Sequence, residues 1–196
     1  MKPESAIILL ILLPLAGAVG IPLIPVGKDA LVRSYTLAVT LLTLVLSLVV
    51  GYWFFQPETL AAPLGQGSIA WVSSFGLSFS FQVIDAISMW MILLTTFLMP
   101  LVVLGSWSAV SQRTREFHLW LLILQAAMLG VFVATDLIFF YVCFEFTLVP
   151  MYFLIGVFGS TQRLKAARVF FLYTFTGSML TFAGLLYVAA QHAALH

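Results

Sequence analysis

The sequence predicts an all-α, polytopic membrane protein with six transmembrane helices, and three observations support this fold class. Hydrophobic residues make up 63% of the 196 residues and charged residues only 8%, whereas soluble domains are about 25% charged. Six apolar stretches reach the length of about 20 residues that a helix needs to cross a bilayer. Basic residues are concentrated in alternate connections between these stretches. The prediction is therefore a bundle whose main solvent is lipid.

The six helices are predicted at about 5–24, 34–55, 85–107, 117–135, 136–158 and 167–189. No soluble domain fits between them, so residues 1–196 are expected to form a single membrane domain. The net charge is +1 and the basic residues are scattered rather than patched, so the charge gives no sign of a nucleic-acid partner and none is expected. The single cysteine, Cys143, excludes an internal disulfide, and its apolar surroundings favour a packing role.

The first apolar stretch has two interpretations. Pro22 and Pro25 close it as a membrane helix, whereas Lys2 and the small residue Ala18 would also suit a signal peptide. The apolar run continues to Val26, beyond what cleavage near Ala18 would need, and this favours the membrane helix.

The predicted orientation is N-out/C-out. The connections after helices 1, 3 and 5 carry seven basic residues, namely Lys28, Arg33, Arg113, Arg115, Arg163, Lys165 and Arg168. The other side carries Lys2 alone. Because basic loops stay in the cytoplasm, both termini are expected outside.

The long connection between helices 2 and 3, residues 56–84, is then external. Its first half has the prolines and glycines of turns, and residues 71–82 alternate with a period of two. This pattern predicts a partly extended loop that could form a β-hairpin. The loop would either dock a neighbour or pack on its own helices.

The stretch LIFFYVCFEFTLVPMYFLIG, residues 137–156, contains one charged residue, Glu145. Glu145 lies nine residues into helix 5, roughly 14 Å from its start and close to the bilayer midplane. A charge there costs about 2.5–3.5 kcal/mol on insertion scales, and burial favours the protonated form of a carboxyl. Such a group suits proton transfer, and the alternative is an interhelix hydrogen bond that serves packing alone.

Tyr141 and Tyr152 fall on the same face of helix 5 as Glu145 and are candidate supporting residues. Pro150 lacks a backbone N–H and so frees the carbonyl of Phe146 beside the acid, or it only bends the helix.

Helix 6 presents Tyr173, Thr176, Gly177, Gly184 and Tyr187 on one face. Small and hydroxyl residues commonly form helix interfaces in membranes. A path of hydroxyls and water for protons, with Tyr173 and Thr176 as candidate supporting residues, is the other interpretation.

The remaining polar residues have simpler interpretations. Asp85 and Asp136 suit helix N-termini, Gln125 suits an interhelix hydrogen bond, and His118 suits an interfacial position. The sequence contains no phosphate loop, dinucleotide fingerprint, nucleophile triad or haem-ligand histidine pair. No cofactor-binding or metal site is therefore expected on this chain.

Three segments resemble the antiporter-like, proton-pumping subunits of respiratory complex I, of the subunit M (NdhD) type. They are E-F-T-L-V-P-M-Y-F-L-I-G from Glu145, R-x-x-A-A-x-x-F-F-L-Y-T-x-x-G-S from Arg163, and D-A-I-S-M-W-M-I-L-L-T-T-F-L-M-P from Asp85. The third departs from the family at Ala86, where glycine is usual. Related Na⁺/H⁺ antiporters and membrane-bound hydrogenases share much of this pattern.

The resemblance implies that Glu145 is the family's intramembrane glutamate, which pairs with a lysine on a later helix. No lysine lies within the six predicted segments. We therefore expect the amino-terminal part of such a subunit, half of a split subunit or a truncated one.

The implied function is that of a proton-translocating subunit of NADH–quinone oxidoreductase. The alternatives are a structural subunit that does not pump, or a module of a related antiporter or hydrogenase. NADH, FMN, Fe–S clusters and quinone are expected in other subunits. The implied partners are neighbouring antiporter-like subunits and membrane lipids. The implied location is the bacterial inner membrane or an equivalent organelle membrane.

Overall fold

The computed structural model describes residues 3–56, 64–72, 77–83 and 86–195, with side chains for 5–56, 86–187 and 191. The expectations for Lys2, for Asp85 and for the turn residues 57–63 lie outside the described residues. In the described part, α1 covers Pro3–Gly20, followed by a 3-10 turn at Ile21–Leu23, and the other elements are α2 Asp29–Phe54, β1 Leu64–Val72, β2 Leu77–Val83, α3 Ala86–Gly105, α4 Thr114–Val133, α5 Leu137–Phe158 and α6 Arg163–Leu195.

Six helices in the described part are long and apolar enough to cross a membrane, which confirms the predicted helical architecture. Two of them extend further than predicted. The second helix begins at Asp29 rather than at 34, and α6 covers Arg163–Leu195 rather than 167–189. Hydropathy marks the part of a helix that suits hydrocarbon, whereas the backbone remains helical through flanking polar residues. An acid in the first turn, here Asp29, stabilises such an extension.

The first four helices pack around shared apolar clusters. Ile7 and Leu10 of α1 meet Val50 of α2, Met89 of α3 and Leu129 of α4 in one cluster that is closed to solvent. Helix α5 then packs on α4, and α6 packs on α5. Helix α5, which carries Glu145, therefore lies between α4 and α6.

Strands β1 and β2 pair antiparallel, with Ile69 opposite Phe79 and Val72 opposite Leu77. A register shift separates the pair Leu64–Val83 from the rest of the ladder. Strand β1 contacts α1, and β2 contacts α4 and α5. Because the hairpin follows the end of α2 and precedes α3, it lies at the end of the bundle opposite the 3-10 turn.

Arginines tie together the connections at the other end, which we call the basic end. Arg33 donates from Nη2 to the carbonyl of Val110 at 2.9 Å. Arg115 donates from Nη2 to the carbonyls of Ile21 at 3.2 Å and Pro22 at 3.0 Å, and also to Ile24. These bonds hold the α1–α2 connection against the region that joins α3 to α4.

Helices α4 and α5 approach closely at Gly130, where an added Cβ would lie 2.8 Å from Sγ of Cys143. Gly130→Ala is therefore expected to destabilise the bundle by about 1–3 kcal/mol through overpacking. Adding Cys143→Ala should recover most of this loss, because the clashing sulfur is removed. Unfolding in detergent micelles, measured for the two single variants and the double variant, checks the prediction. Additive losses would contradict it.

Candidate functional site around Glu145

Helix α5 begins at a side-chain cap that fixes its position in the bundle. Asp136 lies just before the helix, and its Oδ1 accepts a hydrogen bond from the backbone N–H of Ile138 at 2.8 Å. The predicted capping role of Asp136 is thereby confirmed. Continuous helix from Leu137 then carries Glu145 to mid-length of α5.

Glu145 lies in an open groove between α5 and α6 of about 370 Å³. The lining is apolar except for Glu145 and Tyr141, and it consists of Tyr141, Val142, Glu145, Phe146 and Val149 from α5 with Phe171 and Phe175 from α6. The structure thus brings Tyr141 and Glu145 together, one helical turn apart, in a setting that solvates charge poorly.

Two buried oxygens in this groove lack hydrogen-bond partners among the described residues. They are Oε1 of Glu145 and the phenol oxygen of Tyr141. The phenol lies near enough to Glu145 and to Ser178 of α6 to interact with both. Because buried polar groups are nearly always satisfied, these atoms mark a place that a proton, water or further side chain would complete.

Aromatic contacts hold the two walls of the groove. The ring of Tyr141 stacks on Phe182 with centroids 4.6 Å apart, and Phe171 stacks on Phe175 at 5.6 Å. Such pairs add stability beyond the area they bury. The Tyr141–Phe182 pair joins α5 to α6, whereas the Phe171–Phe175 pair lies within α6.

Pro150 and Tyr152 lie further along α5. Pro150 is buried within a helix that continues through it, so the carbonyl of Phe146, the residue after Glu145, lacks its usual donor. Tyr152 packs its ring against Phe171 with centroids 5.7 Å apart. It lines an adjoining groove together with Arg168, so it shares the α5–α6 interface with Glu145 but not its groove.

Tyr173 and Thr176 lie outside the groove that holds Glu145, and their supporting role stays a prediction. Tyr173 is 84% exposed, and the exposed Thr176 hydroxyl donates to the Leu172 carbonyl of its own helix at 2.7 Å. Helix α6 turns an aromatic face to α5 instead, because Phe171 and Phe182 pair with α5 tyrosines. The polar face is left without described neighbours.

Ser178 is the residue that the sequence reasoning missed. It is 4% exposed, donates to the Phe175 carbonyl at 2.8 Å, and approaches the Tyr141 phenol. The available signal was its spacing, since it lies seven residues after Phe171 and four before Phe182 on the aromatic face.

The chemistry that this arrangement permits is proton holding and transfer. A protonated carboxyl donates one hydrogen bond, a carboxylate only accepts, and a phenol does both. No residue that the structure describes forms an ion pair with Glu145. The ion pair seen in the described part of the chain joins Arg113 to Glu116 at the start of α4. Nor do the described residues contain a group of three or more His, Cys, Asp or Glu side chains that could hold a metal ion.

Six helices of the described residues are long and apolar enough to cross a membrane, and this defines the class as a multi-pass membrane protein. Comparison with known proteins identifies the family. Residues 134–196, which hold α5, α6 and Glu145, match the family described as "NADH:quinone oxidoreductase/Mrp antiporter, TM". The chain is 37% identical over 198 residues to NADH-ubiquinone oxidoreductase chain 4 of Chondrus crispus, covering 97% of this chain and 38% of that protein.

It is also 37% identical over 181 residues to NADH-quinone oxidoreductase subunit M of Rhodobacter capsulatus, covering 90% of this chain and 34% of that protein. A chain of respiratory complex I from Thermus thermophilus superimposes with a TM-score of 0.75 at 26% identity, over 92% of this chain and 35% of that chain. The chain is therefore a homologue of the antiporter-like membrane subunits of complex I, and the predicted resemblance is confirmed. It spans little more than a third of their length.

Proposed function

We propose that this chain is part of a proton-translocating membrane subunit of NADH–quinone oxidoreductase, with Glu145 as its intramembrane protonatable residue. The observation that carries the proposal is the unpartnered Oε1 of Glu145 beside the unpartnered phenol of Tyr141 in the α5–α6 groove. Replacement of Glu145 by glutamine tests it, because the amide keeps the shape and loses the titration.

In this proposal Glu145 changes its protonation with its electrostatic surroundings. An approaching cation favours the carboxylate, and its departure favours the protonated acid. The cation would come from the part of the relatives that this chain does not span, since no lysine lies between Asp29 and Arg163. NADH, FMN, Fe–S clusters and quinone belong to other subunits, and quinone reduction there supplies the energy.

The proposal also covers orientation and partners. Seven basic residues at one end, which lie in three connections or near the starts of the helices that follow them, favour a cytoplasmic or equivalent position for that end. The β1–β2 hairpin is then external and available to a neighbouring subunit. Labelling from either side of the membrane at a cysteine introduced for Gln162 tests this orientation. Neighbouring antiporter-like subunits and lipids are the proposed partners, as expected of a homologue of complex I chains.

A second candidate is a structural subunit that moves no protons. In such a subunit Glu145 would only pack at the α5–α6 interface, which aromatic pairs already hold together. A module of a cation/proton antiporter is a third candidate, since the matched family includes such antiporters. Activity that depends on a Na⁺ gradient without NADH would favour the third, and unchanged pumping in the glutamine variant would favour the second.

Tyr141→Phe is expected to slow proton pumping by a smaller factor than replacement of Glu145, because it removes the hydroxyl and keeps the ring stacked on Phe182. Tyr173→Phe is the matched control, since that ring is 84% exposed and its hydroxyl lies away from the groove. Proton pumping per NADH oxidised, in membranes with normally assembled complex, is the measurement. Equal proton pumping by the two variants would show that the Tyr141 hydroxyl takes no part in proton transfer.

A further inference from the structure

A second set of unpartnered polar atoms lies along one face of α4, outside the groove that holds Glu145. Thr114, His118 and Gln125 are 2%, 0% and 0% exposed. Oγ1 of Thr114, Nε2 of His118 and both amide atoms of Gln125 have no hydrogen-bond partner in the part of the chain that is described. Sequence reasoning expected an interfacial His118 and an interhelix hydrogen bond from Gln125. The structure instead buries His118 and pairs Gln125 with no described residue.

The tautomer of His118 follows from its contact with the backbone. Its Nδ1 lies 2.8 Å from the Thr114 carbonyl oxygen, and a carbonyl can only accept, so Nδ1 carries the hydrogen. In the neutral ring Nε2 then holds a free lone pair. That basic nitrogen points into the interior of the bundle without a described donor.

Helix α2 lines the same interior with hydroxyl groups. Thr36, Thr40 and Thr43 are all 0% exposed. Each donates to a carbonyl of its own helix, at distances between 2.8 and 3.0 Å. Their oxygens therefore retain lone pairs that can accept from other groups. Val39, between these threonines, packs with Leu122, which lies between His118 and Gln125, so the two helices meet at this depth.

Buried water is the usual partner of unsatisfied polar atoms of this kind. Buried waters typically make about three hydrogen bonds to buried polar groups that would otherwise be unsatisfied. His118 and Gln125 lie seven residues apart, roughly 10 Å along the helix, so more than one water would join them. Thr114 lies at the start of α4, so it is the member of this set nearest to the basic end of the bundle.

The groups that face His118 are few. Asp29 and Arg33 of α2 are close enough to act on the ring electrostatically, and the phenol of Tyr35 packs in the neighbouring cluster. Helix α3 and the part of α1 from Ser5 onward carry no ionisable side chain. His118 is therefore the ionisable group of α4 that lies inside the α1–α4 interior.

We propose that helices α1–α4 enclose a second, hydrated proton-accepting site, in which water bridges Nε2 of His118 to the amide of Gln125 and exchanges with solvent at the basic end. The site is separate from Glu145. Helix α4 meets α5 through another face, on which Trp120 stacks on Phe153 at 4.3 Å. The proposal rests on α1–α4 alone and does not depend on pumping through Glu145.

Radiolytic hydroxyl labelling of native membranes, read by mass spectrometry, tests the hydration. After correction for intrinsic reactivity, His118 should label several-fold faster than Leu10, which is also 0% exposed but packed in an apolar cluster. Gln125→Leu should lower the His118 rate several-fold. Ser47→Ala is the control and should leave the rate unchanged, because the Ser47 hydroxyl is already bonded to Thr96 at 2.7 Å. Equal rates at His118 and Leu10, or no effect of Gln125→Leu, would overturn the proposal.

Proton uptake is tested on the full chain in liposomes with ¹⁵N-labelled histidine, by solid-state NMR. Subtraction of the His118→Gln spectrum isolates the His118 signals. The expected result is the Nδ1–H tautomer at high pH and reversible conversion to imidazolium between about pH 8 and pH 4. A single protonation state across that range would overturn the proposal even if the site were hydrated.

Discussion

Glu145→Gln is expected to reduce proton pumping by about tenfold or more, with the complex assembled in normal amount. The amide matches the carboxyl in size and still makes hydrogen bonds, so the packing of the α5–α6 groove should survive. It cannot take up or release a proton, so transfer through this position stops. Pumping per NADH oxidised, followed with a pH-sensitive dye in sealed vesicles, is the measurement.

Glu116→Gln supplies the matched control for this prediction. Glu116 has a half-exposed side chain and forms a 3.4 Å ion pair with Arg113 in solvent, where such pairs contribute little. The same chemical change should therefore leave pumping and assembly unaltered. If Glu145→Gln pumped as well as Glu116→Gln in a normal complex, Glu145 would serve packing alone and the structural candidate would be preferred.

The membrane helices could be predicted from sequence because lipid imposes a simple length and composition on each span. Their ends could not, because the polar residues that flank a span can continue the helix. Asp29 illustrates this point, since it opens α2 five residues before the apolar run. The 3-10 turn at Ile21–Leu23 also escapes hydropathy, because its sequence is as apolar as the helix before it.

The candidate site could be predicted only in part, because polarity does not tell which way a membrane helix faces. Glu145 and Tyr141 were found from their shared face on α5, and the structure brings them together. Tyr173 and Thr176 formed an equally regular face, yet the aromatic pairs between α5 and α6 turn that face outward. Ser178 was overlooked because its burial follows from those pairs and not from its own chemistry.

Arg115→Ala is the second large effect that we expect, a loss of about 1.5–3 kcal/mol in the free energy of unfolding. Helix α1 ends at Gly20, and the residues that follow include Pro22 and Pro25, which have no N–H to offer. Carbonyls at the end of a helix need other donors. The guanidinium of Arg115 donates to those of Ile21, Pro22 and Ile24, and alanine would leave them without it.

A lysine variant separates the effect of the guanidinium's shape from the effect of its charge. Arg115→Lys keeps the positive charge but replaces the planar guanidinium with a compact ammonium group, so it should recover only part of the loss. Arg113→Ala is the control, because that side chain is 62% exposed and its ion pair lies in solvent, and a change within about 0.5 kcal/mol is expected. Unfolding by SDS in mixed micelles measures all three variants. Full recovery by lysine would show that charge at the basic end, and not the closure of the α1 turn, stabilises the bundle.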